Sequence, residues 1–215
     1  PAMREPTELD RILALPVMDP TWQPPDLSAH FRRIGGLQTL RPIQSKALYM
    51  AAQFGGLFAP IGVGFGKTLI AALLPVAMRA ERPLLMIPPS PRADLAAQWQ
   101  EYGRHWNLPR GLEVKSYELL SQPDSSAMLS FLRPDLLIFD EAHKLADQKS
   151  ARTRRVARYL DAFPDTKVCV LSGSFTAKSI KDYAHLAAWS LGYRSPLQLK
   201  FGERETWARE LDVFR

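Results

Sequence analysis

Two segments of the chain place residue types that handle phosphate and metal at the spacing such chemistry requires. The first is Ala59-Pro60-Ile61-Gly62-Val63-Gly64-Phe65-Gly66-Lys67-Thr68. Glycines at 62, 64 and 66 let the backbone turn tightly and aim its N–H groups inward, and the start of a following helix adds partial positive charge. Lys67 can then reach the β- and γ-phosphates of a nucleotide, and the Thr68 hydroxyl can ligate Mg²⁺. The strict G-x-x-x-x-G-K-[ST] pattern is not met, because Ile61 stands where its first Gly belongs. A glycine-rich turn that merely precedes Lys-Thr is the blander reading. The second segment, Leu136-Leu137-Ile138-Phe139-Asp140-Glu141-Ala142-His143, runs four apolar residues into two acids. Carboxylates at the carboxyl end of a buried strand lie where ligands bind in an open parallel sheet. Asp140 could hold Mg²⁺ through water, and Glu141 could orient and deprotonate an attacking water. Alone, the pair reads as a solvated strand end; with a phosphate loop upstream, the chemical reading leads.

These residues need rigid elements to position them. Short apolar runs at Leu57–Ala59, Leu84–Ile87, Leu112–Lys115, Leu136–Phe139 and Lys167–Leu171, each bounded by Gly, Pro or charge, predict strands. Leu69 to Ala77 predicts a helix directly behind Lys67-Thr68. Leu95, Trp99, Tyr102 and Trp106 share a helical face, as do Val156, Leu160 and Phe163. Ile180, Tyr183, Ala184, Ala187, Ala188 and Leu191 predict one more helix, stopped by Gly192. Strands apolar along their whole length, separated by amphipathic helices, predict an α/β fold: a three-layer domain around a mostly parallel sheet.

The boundaries expected are an N-terminal arm over 1–30, rich in Pro, an ATP-binding domain over 31–200, and a C-terminal extension over 201–215. Pro1 and Ala2 ahead of Met3 read as the remainder of a cleaved tag. The 215 residues are 46% apolar and 23% charged, which excludes a mainly disordered chain. No apolar run approaches a membrane span, and the start has no leader pattern. The lone cysteine, Cys169, excludes an intramolecular disulfide and a Cys-based zinc site, and points to a reducing setting, cytoplasmic or nuclear. It reads as a buried apolar residue. Lys plus Arg number 28 against 22 Asp plus Glu, a net charge of +6 that permits a polyanionic partner.

The two chemical segments together resemble motifs I and II of superfamily 2 helicases and translocases. Leu40-Arg41-Pro42-Ile43-Gln44 is similar to the adenine-reading Gln motif. Val63 to Thr68 is closer to the M-G-L-G-K-T of Swi/Snf-type DNA translocases than to the P-T-G-S-G-K-T of DEAD-box proteins. Val114-Lys115-Ser116-Tyr117-Glu118 resembles that family's T-S-Y-E, and Leu171 to Thr176 stands in the place of its L-T-G-T-P. The resemblance spans about Leu40 to Leu191 and implies the first of two RecA-like domains, hydrolysing Mg-ATP to move on nucleic acid, by resemblance double-stranded DNA.

It implies roles residue by residue. Gln44 would recognise adenine. Gly64, Gly66, Lys67 and Thr68 would hold the triphosphate, with Thr68 and Asp140 at Mg²⁺ and Glu141 and Lys67 as the catalytic pair. His143 and Ser172 would couple the nucleotide to the nucleic-acid face, and Ser90 and Arg92 would touch a phosphate backbone as motif Ia. Phe175 and Ser174 depart from the Pro and second Thr of the third motif. A second RecA-like domain supplying an arginine finger would be a required partner. A stand-alone P-loop ATPase acting as loader or switch, and a non-enzymatic nucleic-acid or protein-binding module, are the alternatives. Lys149, Arg152, Arg154, Arg155 and Arg158 crowd positive charge into ten residues without an acid. Arg154, Arg155 and Arg158, away from the apolar face, read either as a solvated surface or as DNA-phosphate contacts. Trp99 and Trp106 read as core rather than stacking residues, and His30, His105 and His185 lack metal-ligand spacing.

Overall fold

The computed structural model describes residues 7–89, 92–125, 127–174, 179–197, 199 and 201–211. Its centre is a sheet of five parallel strands, β1 (Leu57–Pro60), β2 (Pro83–Ile87), β3 (Glu113–Ser116), β4 (Leu136–Asp140) and β5 (Lys167–Ser172), in the order β1-β5-β4-β2-β3. Parallel neighbours need crossovers, and α4 (Lys67–Met78), α5 (Arg92–His105), α6 (Met128–Leu132) and α7 (Ala151–Ala162) supply them; α1 (Glu8–Leu13), α2 (Ser28–Phe31) and α3 (Pro42–Phe54) precede β1, and α8 (Ala184–Leu191) and α9 (Phe201–Leu211) follow β5.

The interior strands β2, β4 and β5 are apolar along most of their length because both faces of the sheet are covered there, whereas the edge strand β3 is largely polar and half-buried. Along β4, Leu136 and Ile138 point into one core with Leu85, Cys169, Leu171 and the α4 residues Ile70, Leu73 and Leu74. Leu137 and Phe139 point into the other, with Val168, Val170, Val156 of α7 and Leu186 of α8. One residue of slip would exchange the two sets. Trp106 is buried in the first core and donates its indole N–H to Gln38 Oε1 at 3.1 Å, and Trp99 packs against the same core. Cys169 is fully buried, which pushes its thiol pKa up.

The five strands begin and end within one residue of expectation. The predicted helix over Ile180–Leu191 divides: a 3₁₀ turn covers Ile180–Asp182, and the α-helix starts at Ala184. The Ser179 hydroxyl accepts from the Lys181 N–H and draws the first residues into the tighter turn. Between residues 7 and 30 only α1 and α2 form, as the prolines require. This stretch packs on the domain: Phe31 enters the first core, Trp22 lies 5.2 Å from the Tyr49 ring, and the Leu40 N–H donates to Ser28 Oγ. Among the described residues no helix is long and apolar enough to cross a membrane.

Candidate nucleotide site

Strand order brings the two chemical segments together. β5 lies between β1 and β4, with Pro60 paired to Ser172 and Asp140 to Leu171, so three strands present their carboxyl ends side by side. Ile61 continues off β1 with its N–H donating to the Ser172 carbonyl at 3.1 Å and its side chain buried in the first core. A side chain is therefore wanted where the strict pattern has Gly, which explains that departure. The loop then turns through Gly64 (φ +84°) and Gly66 (φ +77°), the latter serving as the left-handed N-cap of α4. A Cβ on Gly66 would come within 2.3 Å of Gln44 Nε2, so the position needs glycine for both conformation and space.

Gln44 grips the loop from α3. Its Oε1 accepts from the Arg41 N–H at 2.8 Å, and its Nε2 donates to the Phe65 carbonyl at 3.3 Å. Arg41 adds a guanidinium bond to the Gly64 carbonyl at 2.6 Å. Arg41 thus supports the loop, a role the sequence reading did not assign. It lies within the Leu40–Gln44 segment, where only Gln44 was given a role.

Lys67, 8% exposed at the first turn of α4, places Nζ 3.3 Å from Glu141 Oε1 and 3.4 Å from the Gly62 carbonyl. Glu141 adopts φ +52°, ψ +50°, a left-handed backbone unusual for a residue with a Cβ. Such a conformation costs roughly 1–2 kcal/mol and persists where surrounding bonds enforce it. Here the Tyr117 hydroxyl donates to the Asp140 carbonyl at 2.8 Å, and the Glu141 N–H donates to Asp140 Oδ1 at 3.0 Å. Tyr117 is the second supporting residue missed from sequence. Glu141 Oε2 lies 3.3 Å from both Ser172 Oγ and His143 Nδ1, which are themselves 3.1 Å apart. A continuous polar chain, Lys67–Glu141–Ser172–His143, so crosses all three strand ends.

Burial raises the pKa of Asp140, the neighbouring charge of Glu141 raises it further, and the Glu141 N–H and Lys67 oppose the shift. A carboxylate so placed favours a cation beside it. Among the described residues no three His, Cys, Asp or Glu side chains gather into a metal cluster. Mg²⁺ takes one or two carboxylates and completes its shell with water and phosphate oxygens, a demand Asp140 could meet. Thr68, half-buried one residue beyond Lys67, offers the hydroxyl.

The remaining candidates divide. Ser90 and the side chain of Arg92 lie outside the described residues, as do Phe175 and Thr176; Ser174 is described, its N–H donating to Ser172 Oγ at 3.3 Å. Arg154 and Arg158 are exposed on α7. Arg155 is half-buried and donates Nη1 to the carbonyls of Leu120 and Gln122 at 2.8 and 2.5 Å. These three stand on the flank of α7 rather than among the strand ends.

No protein-family model and no curated protein matches the sequence. In three dimensions the chain is similar to the UvsW helicase of bacteriophage T4, with a TM-score of 0.50 and 16% identity over 81% of this chain. The fold is RecA-like. The match spans 62% of the length of that helicase chain, and at this identity the likeness is one of fold.

Proposed function

We propose that the chain is the ATP-binding motor domain of a superfamily 2, Swi/Snf-like helicase or DNA translocase, coupling Mg-ATP hydrolysis to movement on double-stranded DNA. The observation that carries this reading is the 3.3 Å approach of Lys67 to Glu141, with His143 and Ser172 completing the row along three adjacent strand ends. When bound, Mg-ATP supplies the γ-phosphoryl group to be transferred and the metal charge that offsets its oxygens. Lys67 would leave Glu141 to meet the β- and γ-phosphates, and the loop N–H groups around Gly64 and Gly66 would donate hydrogen bonds to the phosphate oxygens. Thr68 and Asp140 would hold the metal. Glu141, released from Lys67, orients a water and takes its proton, and passes the change of charge to Ser172 and His143.

Gln44 already uses its amide on the loop, so reading adenine would couple base recognition to loop shape. Ser90, Arg92, Arg154, Arg155 and Arg158 are the proposed nucleic-acid contacts. A second RecA-like domain would supply the arginine finger, worth about 10³ to 10⁵ in rate. The 215-residue chain alone should therefore turn ATP over near background, without stimulation by DNA, and Glu141→Gln should change that rate little. The deciding experiment is calorimetric titration with Mg-ATP. Lys67→Ala should lose binding with its circular dichroism spectrum intact, and equal affinity in both proteins would refute the assignment.

A further inference from the structure

Away from the strand ends, α6, α7 and the 3₁₀ turn Leu119–Ser121 enclose a cleft of about 150 Å³. It is lined by Arg155, Arg158, Ser130 and Tyr159 together with the apolar Leu120, Leu129 and Ala162, and by no acidic residue. Two larger clefts differ. One contains Asp135 and Asp165 beside Arg82 and Arg133, and the other is lined mostly by backbone and apolar side chains beside Arg79 and Lys167.

The Arg155 guanidinium is held in place. With Nη1 bonded to two carbonyls of the adjoining turn, its Nε and Nη2 edge is oriented and has no protein partner among the described residues. Arg158 donates Nε to the Arg154 carbonyl at 3.3 Å, leaving both terminal nitrogens available. Tyr159 is occupied, donating its hydroxyl to the Pro134 carbonyl. Among the described residues none of Lys149, Arg152, Arg154, Arg155 and Arg158 forms an ion pair. Two guanidinium groups beside a serine, with no acid among them, suit a phosphate: the guanidinium fork matches its oxygens.

We propose that this cleft seats one backbone phosphate of a nucleic acid on Arg155, Arg158 and Ser130. The extension beyond the cleft selects a polymer over a lone phosphate. Arg152, Arg155 and Arg158 follow i, i+3, i+6, a row that winds about 60° round α7 and rises about 4.5 Å at each step. Arg152 acts electrostatically on Tyr117, whose hydroxyl bonds the Asp140 carbonyl. The row therefore leads from the cleft toward the strand ends, along which a chain of phosphates would run. The inference rests on the nucleic-acid part of the reading above and is independent of its nucleotide part.

The test is fluorescence anisotropy of labelled single-stranded and duplex oligonucleotides with the full chain, across a salt series. Arg158→Gln is exposed and should fold normally; it should weaken binding roughly tenfold and lower the salt slope by about one. Ser130→Ala should show a smaller loss, and Arg110→Gln, a distant charge-matched control, less than about twofold. Equal behaviour of Arg158→Gln and Arg110→Gln would overturn the cleft while leaving nucleic-acid binding in place. Inorganic phosphate shifting the Arg155 and Arg158 side-chain NMR signals without oligonucleotide binding would make this a small-anion site and overturn the proposal. So would displacement of bound oligonucleotide by polyglutamate at equal charge concentration, which would point to an acidic protein. Absence of any oligonucleotide binding would overturn the proposal and the nucleic-acid reading together, while Mg-ATP titration of the same samples reports separately on the nucleotide site.

Discussion

Tyr117 holds the peptide that joins Asp140 to Glu141, and does so from inside the protein, where its ring is 1% exposed and stacked 6.4 Å from Phe139. Burial and the nearby charges of Asp140 and Glu141 push its pKa well up, so the phenol stays a donor through the physiological range. Tyr117→Phe keeps the packing and removes the donor. It should cost about 1–3 kcal/mol by urea denaturation, since the Asp140 carbonyl loses its partner. It should also loosen the Glu141 backbone, lowering the occupancy of the Lys67 ion pair, which a ¹⁵N-lysine NMR measurement would register. Gly66→Ala tests the loop in the same way. A left-handed alanine costs about 1–2 kcal/mol, and the close approach of Gln44 Nε2 forces that side chain off the loop. Mg-ATP affinity should fall well before the melting temperature does, as parallel calorimetry and thermal scans would show.

At the scale of elements, α8 is tied to the sheet by contacts with no slack. A Cβ on Gly56, just ahead of β1, would sit 1.8 Å from the Ser190 carbonyl, a backbone atom that cannot swing aside. Gly56→Ala should therefore unseat α8 and cost several kcal/mol, visible as a lowered denaturation midpoint. The same helix carries His185, whose Nε2 lies 2.9 Å from the Leu145 carbonyl and whose pKa burial lowers to about 4. Arg204 lowers it further, and Asp182 acts the other way. A base whose folded pKa lies below its unfolded value of 6.5 is fully stabilising above pH 6.5 and loses that stability as pH falls toward 4. The loss is about 3 kcal/mol at most, and His185→Gln should flatten the corresponding limb of the pH–stability curve. Elements of this kind were legible where one signal dominated. β4 could be read because Leu136 to Phe139 is bounded by Pro134 and by acids, and α4 because Lys67-Thr68 opens an apolar run. The order β1-β5-β4-β2-β3 could not, since pairing of Leu57 with Cys169 has no local signature. For the same reason Lys67 and Glu141 were singled out as candidates from the residue types around them, while Tyr117 and Arg41, which act on backbone carbonyls, stood in the quoted segments without a role.

Across the whole molecule, α1 near the start of the described chain is held to the segment before α9 chiefly by the side chain of Arg11. Arg11 is 7% exposed, donates Nη1 to the carbonyls of Tyr193 and Ser195 at 2.8 and 2.7 Å and Nη2 to that of Leu197 at 2.8 Å, and pairs with Glu8 at 3.0 Å. Glu8 in turn accepts from the Leu199 N–H. Arg11→Ala leaves three carbonyls and a carboxylate to find other partners and should cost about 3 kcal/mol, measured by denaturant titration. The segment so clamped leads directly into α9, which reaches back to the 3₁₀ turn after β5 through Lys181 and Glu205 at 3.3 Å.

That clamp sets a mechanical order. A pull applied between the two ends of the chain, as by beads in an optical trap, loads the bonds of Arg11 before any strand of the sheet, because they bridge the shortest path between the handles. The first rupture in a force ramp should be a short extension that frees only the flanking helices. The sheet, with Lys67 and Glu141 at its rim, would stay intact until a later and larger step, and in Arg11→Ala, where only the Glu8 contact to Leu199 remains, the first step should come at a lower force.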